Sequence, residues 1–249
     1  MNKNIFITGG TSGIGKSLIH KFAKNNYDVF FTYFNNLSEA KSISRSLLKS
    51  NIKHDYIKMD LNKIKSIENA FKKFNKKFER LNVFINAASS NTKRRNFLKI
   101  KNEVILKNIK SLLIGNIISI KNALKLALRN KTQNKPTIIN ISSYAAISGG
   151  RDIHLYAASK SALNILTIAL SKDYFRQKIK IISIVPRHID TLTFRKNNNI
   201  KNNRDLAQFK KRKKIKKVKT PEEFANFVYE KIIRKSKIAE QPIVYYDSI

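Results

Sequence analysis

A tyrosine and a lysine four residues apart, Tyr156 and Lys160, are the side chains with the clearest chemical use in the sequence. A spacing of four places both on one face of a helix. A free phenol has a pKa of about 10 and transfers protons slowly at neutral pH until a nearby positive charge lowers that pKa. The Lys160 ammonium would be such a charge, so the pair predicts acid–base chemistry at Tyr156. Taken alone, a Tyr and a Lys at this spacing are common on ordinary helices and are then structural. The residues around the pair must therefore show whether it is catalytic.

A glycine-rich turn near the N-terminus, Thr8-Gly9-Gly10-Thr11-Ser12-Gly13-Ile14-Gly15, predicts a phosphate site. It follows an apolar run typical of a strand and begins a segment with helical spacing. Glycines at such a junction permit a tight turn and close backbone approach to a phosphate, which the free amides and the dipole of the helix N-terminus then bind. The order of strand, turn and helix therefore favours a dinucleotide site over an ordinary loop.

The end of the second predicted strand, Thr32-Tyr33-Phe34-Asn35-Asn36, contains no acid. Folds that bind NAD usually end this strand with an acid that takes both ribose hydroxyls and repels a 2′-phosphate. We therefore expect NADPH in preference to NADH, with amides or hydroxyls of this stretch binding the extra phosphate.

The T-G-x-x-x-G-x-G turn, the Y-x-x-x-K pair and Ser143, thirteen residues before the tyrosine, resemble the short-chain dehydrogenase/reductase family. The resemblance implies that Tyr156 is the proton donor and that Lys160 also hydrogen-bonds the nicotinamide ribose. It further implies that Ser143 donates to the substrate oxygen on which charge develops. Ser142 is the neighbouring rival, but its separation from Tyr156 fits the family less well.

Further similarity covers nearly the whole chain. Asn86-Ala87-Ala88 stands where the family has Asn-Ala-Gly, and the turn from Pro186 through Thr191 resembles the one that meets the nicotinamide carboxamide. Asp60 matches an adenine contact, although it would equally serve to cap the next helix. Thr220-Pro221-Glu222-Glu223 is similar to the start of the last helix in 3-oxoacyl-carrier-protein reductases. The cofactor residues that the resemblance implies are Gly9, Thr11, Ser12, Gly13, Ile14, Gly15, Tyr33, Asn35, Asp60, Leu61, Asn86, Ala87, Ala88, Tyr156, Lys160, Pro186, Ile189 and Thr191.

The sequence also departs from the family. The family has a catalytic Asn that holds a water for proton relay, and the alignment places Leu112 there, which cannot hold one. Asn108 and Asn116 lie one helical turn to either side, so a local bulge or a register shift could substitute one of them, and neither is assigned as catalytic. Ala88 and Arg187 replace glycines beside the cofactor site, and Arg187 is a candidate to bind substrate or a phosphate.

The elements that must position these residues alternate between apolar runs and segments of helical spacing. This alternation predicts an α/β fold, a single doubly wound Rossmann-type domain over residues 1–249 with a mostly parallel seven-stranded sheet and helices on both faces. The polar stretch 187–219 is the exception, since a connection of this length is usually a functional lid or partly disordered, and we predict a substrate lid. The predicted strands are 5–8, 29–33, 56–59, 83–86, 137–141, 179–185 and 243–246, and the principal predicted helices are 14–24, 64–78, 104–128, 157–175 and 221–233.

Composition restricts the setting. The 249 residues contain no cysteine, which excludes thiolate metal sites and fits a reducing cytoplasm; we expect no metal. No segment approaches the roughly 20 apolar residues of a membrane span. The formal charge of +35 would attract polyanions, but the basic residues are mainly dispersed lysines, as compositional bias would give. The densest run, Lys210–Lys219, has no interleaved aromatics, so no specific nucleic-acid partner is expected.

The sequence thus favours an NADPH-dependent oxidoreductase that reduces a ketone to an alcohol, most similar to 3-oxoacyl-carrier-protein reductases. The substrate would be a small molecule or an acyl group on a carrier protein, and other small carbonyl compounds or sugars fit equally well. An alternative is a nucleotide-binding scaffold with weak catalysis, which Leu112 would favour. The resemblance also implies a homo-oligomer, a tetramer or a dimer.

Overall fold

Seven short strands form one sheet in which every pair is parallel. The computed structural model describes residues 2–90, 94–129, 136–235 and 241–246. The strand order is β3-β2-β1-β4-β5-β6-β7, which confirms the predicted Rossmann-type fold. The strands are β1 Lys3–Thr8, β2 Tyr27–Tyr33, β3 His54–Lys58, β4 Val83–Asn86, β5 Thr137–Ile141, β6 Lys180–Val185 and β7 Ile243–Tyr245.

Helices connect the strands, and two of the long ones contain a π turn. The first π turn, Lys110–Ile114, joins α4 to α5 within one continuous helix, and the second, Val228–Arg234, follows α10. Neither α2 nor the second π turn was predicted from the sequence, whereas a local bulge near Leu112 was one of the two alternatives given there. The helices are α1 Gly13–Ala23, α2 Leu37–Leu47, α3 Ile64–Lys77, α4 Asn102–Ile109, α5 Gly115–Arg129, α6 Ala145–Ser148, α7 His154–Asp173, α8 Leu192–Asn197, α9 Asn203–Lys213 and α10 Pro221–Phe227.

The sheet is buried on both faces, as a parallel sheet requires. On one face, α1, α2 and α10 cover the strands, and Phe22 and Phe224 are fully buried there. On the other face, α3, α5 and α7 pack over a cluster of phenylalanine rings around Phe6, whose centroid lies 4.8 Å from that of Phe30 and 5.3 Å from that of Phe74. Burying each such ring stabilises the fold by roughly 1.5–3 kcal/mol. The helices on both faces confirm the doubly wound arrangement.

The strand order reverses between β1 and β4. After β1 the chain moves outward through β2 and β3, and then it returns to place β4 on the other side of β1. The two connections leave the carboxyl ends of these strands in opposite directions and open a crevice there, where ligands of doubly wound sheets bind.

The stretch 187–219 folds back on itself over this crevice. Its two ends pair beside one another, since the Asp190 amide donates to the Lys219 carbonyl over 2.8 Å. Between them lie α8 and α9, joined by a buried contact between Phe194 and Phe209, whose centroids are 5.3 Å apart. Arg195 donates two hydrogen bonds to the Asp190 carboxylate. The stretch after β6 is therefore an ordered insertion with two helices and not an irregular loop.

The expectation that no segment approaches a membrane span needs correction, because the helix Asn102–Arg129 has the length and composition to cross a membrane. However, 56% of its most apolar window is buried within the protein, against α3 and α7. A helix that covers a sheet has the same apolar character, so this helix is weak evidence for a membrane span.

Candidate active site

A cleft of about 1010 Å³ runs along the carboxyl ends of the strands. It brings together Ser143, Tyr156, Lys160 and all but two of the residues predicted to contact the cofactor. The two exceptions are Gly15 and Asn86, which lie behind the lining. Serines 90 and 111 and several arginines line the cleft as well, and the sequence analysis assigned a role only to Arg187 among them.

The glycine turn bends sharply between β1 and α1. Gly9 has a φ of +71°, and the Ser12 side chain accepts from the Gly15 amide at the start of α1. A Cβ on Gly15 would lie 2.3 Å from the Gly9 carbonyl oxygen, so only glycine allows the turn to close this tightly. The amides of Gly13 and Ile14 make no hydrogen bond within the described ranges. These amides face the cleft at a helix N-terminus and suit an anion such as a phosphate.

Gly13 also touches the base of the folded stretch 187–219. A Cβ at Gly13 would lie 3.1 Å from the Thr191 side chain, and Thr191 itself caps α8. The turn from Pro186 through Thr191 thus comes next to the glycine turn, as its predicted role in the same cofactor site requires.

The end of β2 forms one wall of the cleft without any acid. Tyr33 and Asn35 line the cleft, while the Asn36 side chain caps α2 by accepting from the Glu39 amide. Glu39, the acid in the first turn of α2, does not line the cleft and forms a 2.7 Å ion pair with Lys16. The wall therefore offers hydroxyl and amide groups at the position where an acid would repel a phosphate.

Asp60 lies at the end of β3 and does not cap the following helix. Its carboxylate accepts from the Asn62 amide over 2.9 Å, whereas α3 begins after Lys63 without a side-chain cap. The capping alternative is therefore wrong, and Asp60 lines the cleft beside Leu61.

Asn86 takes part in a buried polar network that connects three strands to α7. Its side chain accepts from Thr8 over 3.2 Å and donates to Asn140 over 3.2 Å, and Asn140 donates to Thr167 over 2.9 Å. The Thr8 hydroxyl also accepts from the Ala87 and Ala88 amides. Asn86 therefore supports the cleft wall from behind, and Ala87 and Ala88 are the parts of this segment that line it.

The three predicted catalytic side chains meet where β5 ends and α7 begins. The Ser143 hydroxyl is hydrogen-bonded to the Tyr156 phenol. Lys160 lies one turn along α7, fully buried, and its Nζ is 5.8 Å from the centre of the Tyr156 ring. The lysine donates to the Ile141 carbonyl over 2.6 Å, so it is held by the backbone of β5. Ser142, the rival serine, is buried beside them, and its hydroxyl has no partner among the described residues.

Burial controls the protonation of this group. It raises the pKa of Tyr156, and the hydrogen bond from Ser143 opposes that rise only in part. Burial also lowers the pKa of Lys160 to about 8. Lys160 does not lower the pKa of Tyr156 in this arrangement, because its Nζ donates to the Ile141 carbonyl and not to the phenol oxygen. A raised pKa keeps Tyr156 protonated at neutral pH, as a proton donor must be.

The first π turn changes which residue reaches the cleft. The extra residue in this turn places Ser111 on the cleft wall, where its hydroxyl donates to Ser90 over 3.0 Å. Leu112 is 1% exposed and does not line the cleft. The side-chain amide of Asn116 donates to the Leu112 carbonyl over 2.8 Å and to the Ser111 carbonyl, so it binds the backbone of the π turn.

The predicted bulge is therefore present, but neither Asn108 nor Asn116 reaches the cleft. Asn116 has a structural role in the turn. The sequence signal for that role was an Asn placed among the apolar residues of this helix. Ser111 is the polar side chain that the bulge presents instead.

Comparisons with known proteins agree with this geometry. The family model of the short chain dehydrogenases matches residues 3–202, and the chain belongs to this family. It is 28% identical to a Bos taurus 3-oxoacyl-[acyl-carrier-protein] reductase over 192 residues, 77% of each chain.

Solved structures share the fold. A 3-ketoacyl-(acyl-carrier-protein) reductase from Brucella melitensis, complexed with NADH, superposes with a TM-score of 0.84 at 16% identity, over 98% of this chain and 96% of that one. A short chain dehydrogenase from Burkholderia cenocepacia, in complex with NADP, gives 0.78 at 22% identity, over 91% and 89%. The chain is an oxidoreductase of the kind that uses a nicotinamide cofactor.

Proposed function

We propose that this protein reduces a ketone to an alcohol with NADPH, using Tyr156 as the proton donor. The observation that carries the proposal is the meeting of Ser143, Tyr156 and Lys160 in the cleft that also contains the free amides of the glycine turn. A nucleotide whose phosphates occupy those amides lies in the same cleft as the phenol.

The residues of the cleft fit a nicotinamide dinucleotide. The amides of Gly13 and Ile14 would hold the phosphates, Asp60 and Leu61 the adenine, and Lys160 the nicotinamide ribose. When bound, NADPH supplies the hydride that the carbonyl carbon accepts, and NADP⁺ is left.

This chain's own residues handle the proton and the charge. Ser143 orients the carbonyl by donating to its oxygen, which stabilises the negative charge that develops there. Tyr156 transfers its phenolic proton to that oxygen, so the product is the neutral alcohol and the tyrosinate is left. The Lys160 ammonium stabilises the tyrosinate until a proton from water in the open cleft restores the phenol.

NADPH is preferred over NADH in this proposal because the β2 wall carries no acid. Calorimetric titration with both cofactors tests the preference, and we expect the lower Kd for NADPH. Replacing Tyr33 with Asp should shift the preference towards NADH, because a carboxylate there would bind the ribose hydroxyls and repel the 2′-phosphate. Equal affinities in the native protein would contradict this part of the proposal.

The substrate that we favour is a 3-oxoacyl group on a carrier protein, as the name of the Bos taurus relative suggests. The stretch 187–219 would act as the substrate lid. Exposed apolar side chains on α4 and α7, such as Leu106 at 71% and Ile165 at 66%, support a homo-oligomer through these helices. Light scattering at micromolar concentration would show a dimer or tetramer.

A panel of ketones, followed by the loss of NADPH absorbance, tests the proposed reaction. Turnover of at least one 3-oxoacyl thioester or small ketone is expected. Tight binding of NADPH without reduction of any carbonyl compound would instead favour the scaffold alternative.

A further inference from the structure

The cleft wall beyond the glycine turn is rich in arginine. The chain has 12 arginines and 39 lysines. Among the described residues that line the cleft there are nevertheless four arginines and two lysines. A compositional bias towards lysine does not produce this enrichment. The four arginines are Arg94, Arg151, Arg187 and Arg212.

Arg187 lines the cleft and stacks on the residue that follows Ser143. Its guanidinium lies 5.0 Å from the centre of the Tyr144 ring, and Tyr144 is the residue after Ser143. The Tyr144 amide donates to the Pro186 carbonyl over 2.9 Å, so the backbones on either side of the stacked pair are joined. The stacking limits the positions of the Arg187 side chain and keeps its charge against the ring of Tyr144 in the same cleft as Ser143.

Two further arginines stand together on the same part of the wall. Arg94 donates from its guanidinium to the Arg151 carbonyl over 2.8 Å. Arg151 is almost fully exposed, and its nearest carboxylate, on Asp152, is 3.7 Å away. Asp60 is the one acid that lines the cleft within the described ranges, and it lies at the end of β3. The part of the cleft around Ser143 therefore has a strongly positive potential.

We propose that Arg187 forms a subsite for an anionic group on the carbonyl substrate, a carboxylate or a phosphate ester. This inference rests on the proposed reductase function. It names a class of ketone substrate, with an anionic group near the carbonyl, that differs from the uncharged 3-oxoacyl thioesters considered above. Guanidinium groups bind carboxylate and phosphate in a planar, bidentate manner that lysine does not reproduce. A substrate whose anion pairs with Arg187 would have its carbonyl held near Ser143 and Tyr156. Arg94 and Arg151 add to the positive field around the same subsite.

Matched pairs of ketones test the subsite. One pair is 3-oxobutanoate and its ethyl ester, and the other is dihydroxyacetone phosphate and dihydroxyacetone. In about 0.15 M salt, where charges more than about 8 Å apart are screened, long-range attraction by the net charge contributes little. We expect kcat/KM to favour the charged member of at least one pair by about tenfold to a hundredfold, the usual effect of a charge-assisted hydrogen bond. The pair that shows the preference identifies carboxylate or phosphate.

Variants separate the subsite from general charge effects. Arg187→Met should abolish the preference, measured as the ratio of the two kcat/KM values within a pair, and Arg187→Lys should restore the preference in part. Arg176→Met removes the same charge at an exposed position outside the cleft, and it should leave the preference intact. No preference in either pair, or one that survives Arg187→Met, would overturn the inference. A loss of NADPH affinity in Arg187→Met with unchanged substrate preference would assign Arg187 to the cofactor and overturn it as well.

Failure of the reductase proposal would look different, because then neither member of either pair would be reduced. In that case, ligand-detected NMR on the NADPH-loaded protein with butanoate and butanamide tests the anionic subsite without any turnover. Binding of butanoate alone, lost in Arg187→Met, would support the anionic subsite, and equal binding of both compounds would overturn it.

Discussion

The two ends of the cleft differ in the kind of atom that they offer to a ligand. The nucleotide end, lined by residues between 9 and 62, presents backbone amides, hydroxyls and side-chain amides, with Asp60 as its only charged lining group in the described chain. The reaction end, lined by residues between 87 and 213, carries six basic side chains. They are Arg94, Arg151, Lys160, Arg187, Arg212 and Lys213.

This difference separates two means of recognition. Backbone amides at a helix N-terminus depend on the local fold of one turn, so the nucleotide end is defined by steric limits at the glycines. The charges of the reaction end come from segments far apart in the chain, and their effect depends on protonation and on salt. Substitutions at the nucleotide end should therefore change mainly the affinity for the cofactor, whereas changes in charge at the reaction end should change turnover and, at Lys160, cofactor affinity as well.

The largest effect that separates the ends is expected from the protonation of Lys160. Burial lowers its pKa to about 8, so the ammonium loses its proton as pH rises through that value. The value of kcat/KM for NADPH, which reports the pKa values of the enzyme without cofactor, should fall about tenfold per pH unit above pH 8. Lys160→Ala should have low activity and weak NADPH binding throughout and should lack this fall. A native profile that stays flat up to pH 10 would contradict the role of Lys160.

Gly15→Ala should weaken NADPH binding by about tenfold to a hundredfold, because overpacking typically costs 1–3 kcal/mol. The new Cβ would lie 2.3 Å from the Gly9 carbonyl oxygen and would force the turn to open. Gly13→Ala is the matched control, since its Cβ would meet the Thr191 side chain at 3.1 Å and a smaller shift relieves it. Calorimetric titration measures both. Equal losses for the two variants would show that closure of the turn at Gly15 is not what forms the phosphate site.

Leu112→Asn should have the smallest effect on turnover. From the sequence alone, this substitution would be expected to leave activity unchanged or to raise it. Because Leu112 is buried outside the cleft, we now expect no gain in kcat and a loss of stability of about 1–3 kcal/mol from the buried amide. Urea unfolding and a kinetic assay test this pair of outcomes, and a rise in kcat would mean that position 112 does reach the reacting groups.

Local patterns in the sequence were sufficient to predict that the glycine turn and the ends of β2 and β3 meet in one cleft. The apolar runs predicted the strands within a few residues, and the glycine turn depends on neighbours in the chain. The Ser143, Tyr156 and Lys160 group was also predictable, because one strand end and one helix position all three.

Other features depend on contacts that spacing does not encode. A π turn contains one more residue than a regular helical turn. The sequence alignment assumed a regular helix and therefore placed Leu112 in the cleft, where the structure has Ser111. The enrichment of the cleft in arginine could not be predicted from the sequence, because the four arginines come from separate segments of the chain. The raised pKa of Tyr156 follows from burial, which depends on the tertiary structure and not on local spacing.

The central claim, that Tyr156 supplies the proton, is tested most directly by measuring turnover and NADPH affinity for Tyr156→Phe. The phenylalanine ring keeps the shape of the site and removes only the hydroxyl. Reduction should fall by about a hundredfold to ten-thousandfold, the usual contribution of general acid catalysis, while the Kd for NADPH stays near the native value. Ketone reduction by Tyr156→Phe at the native rate would contradict the mechanism proposed here.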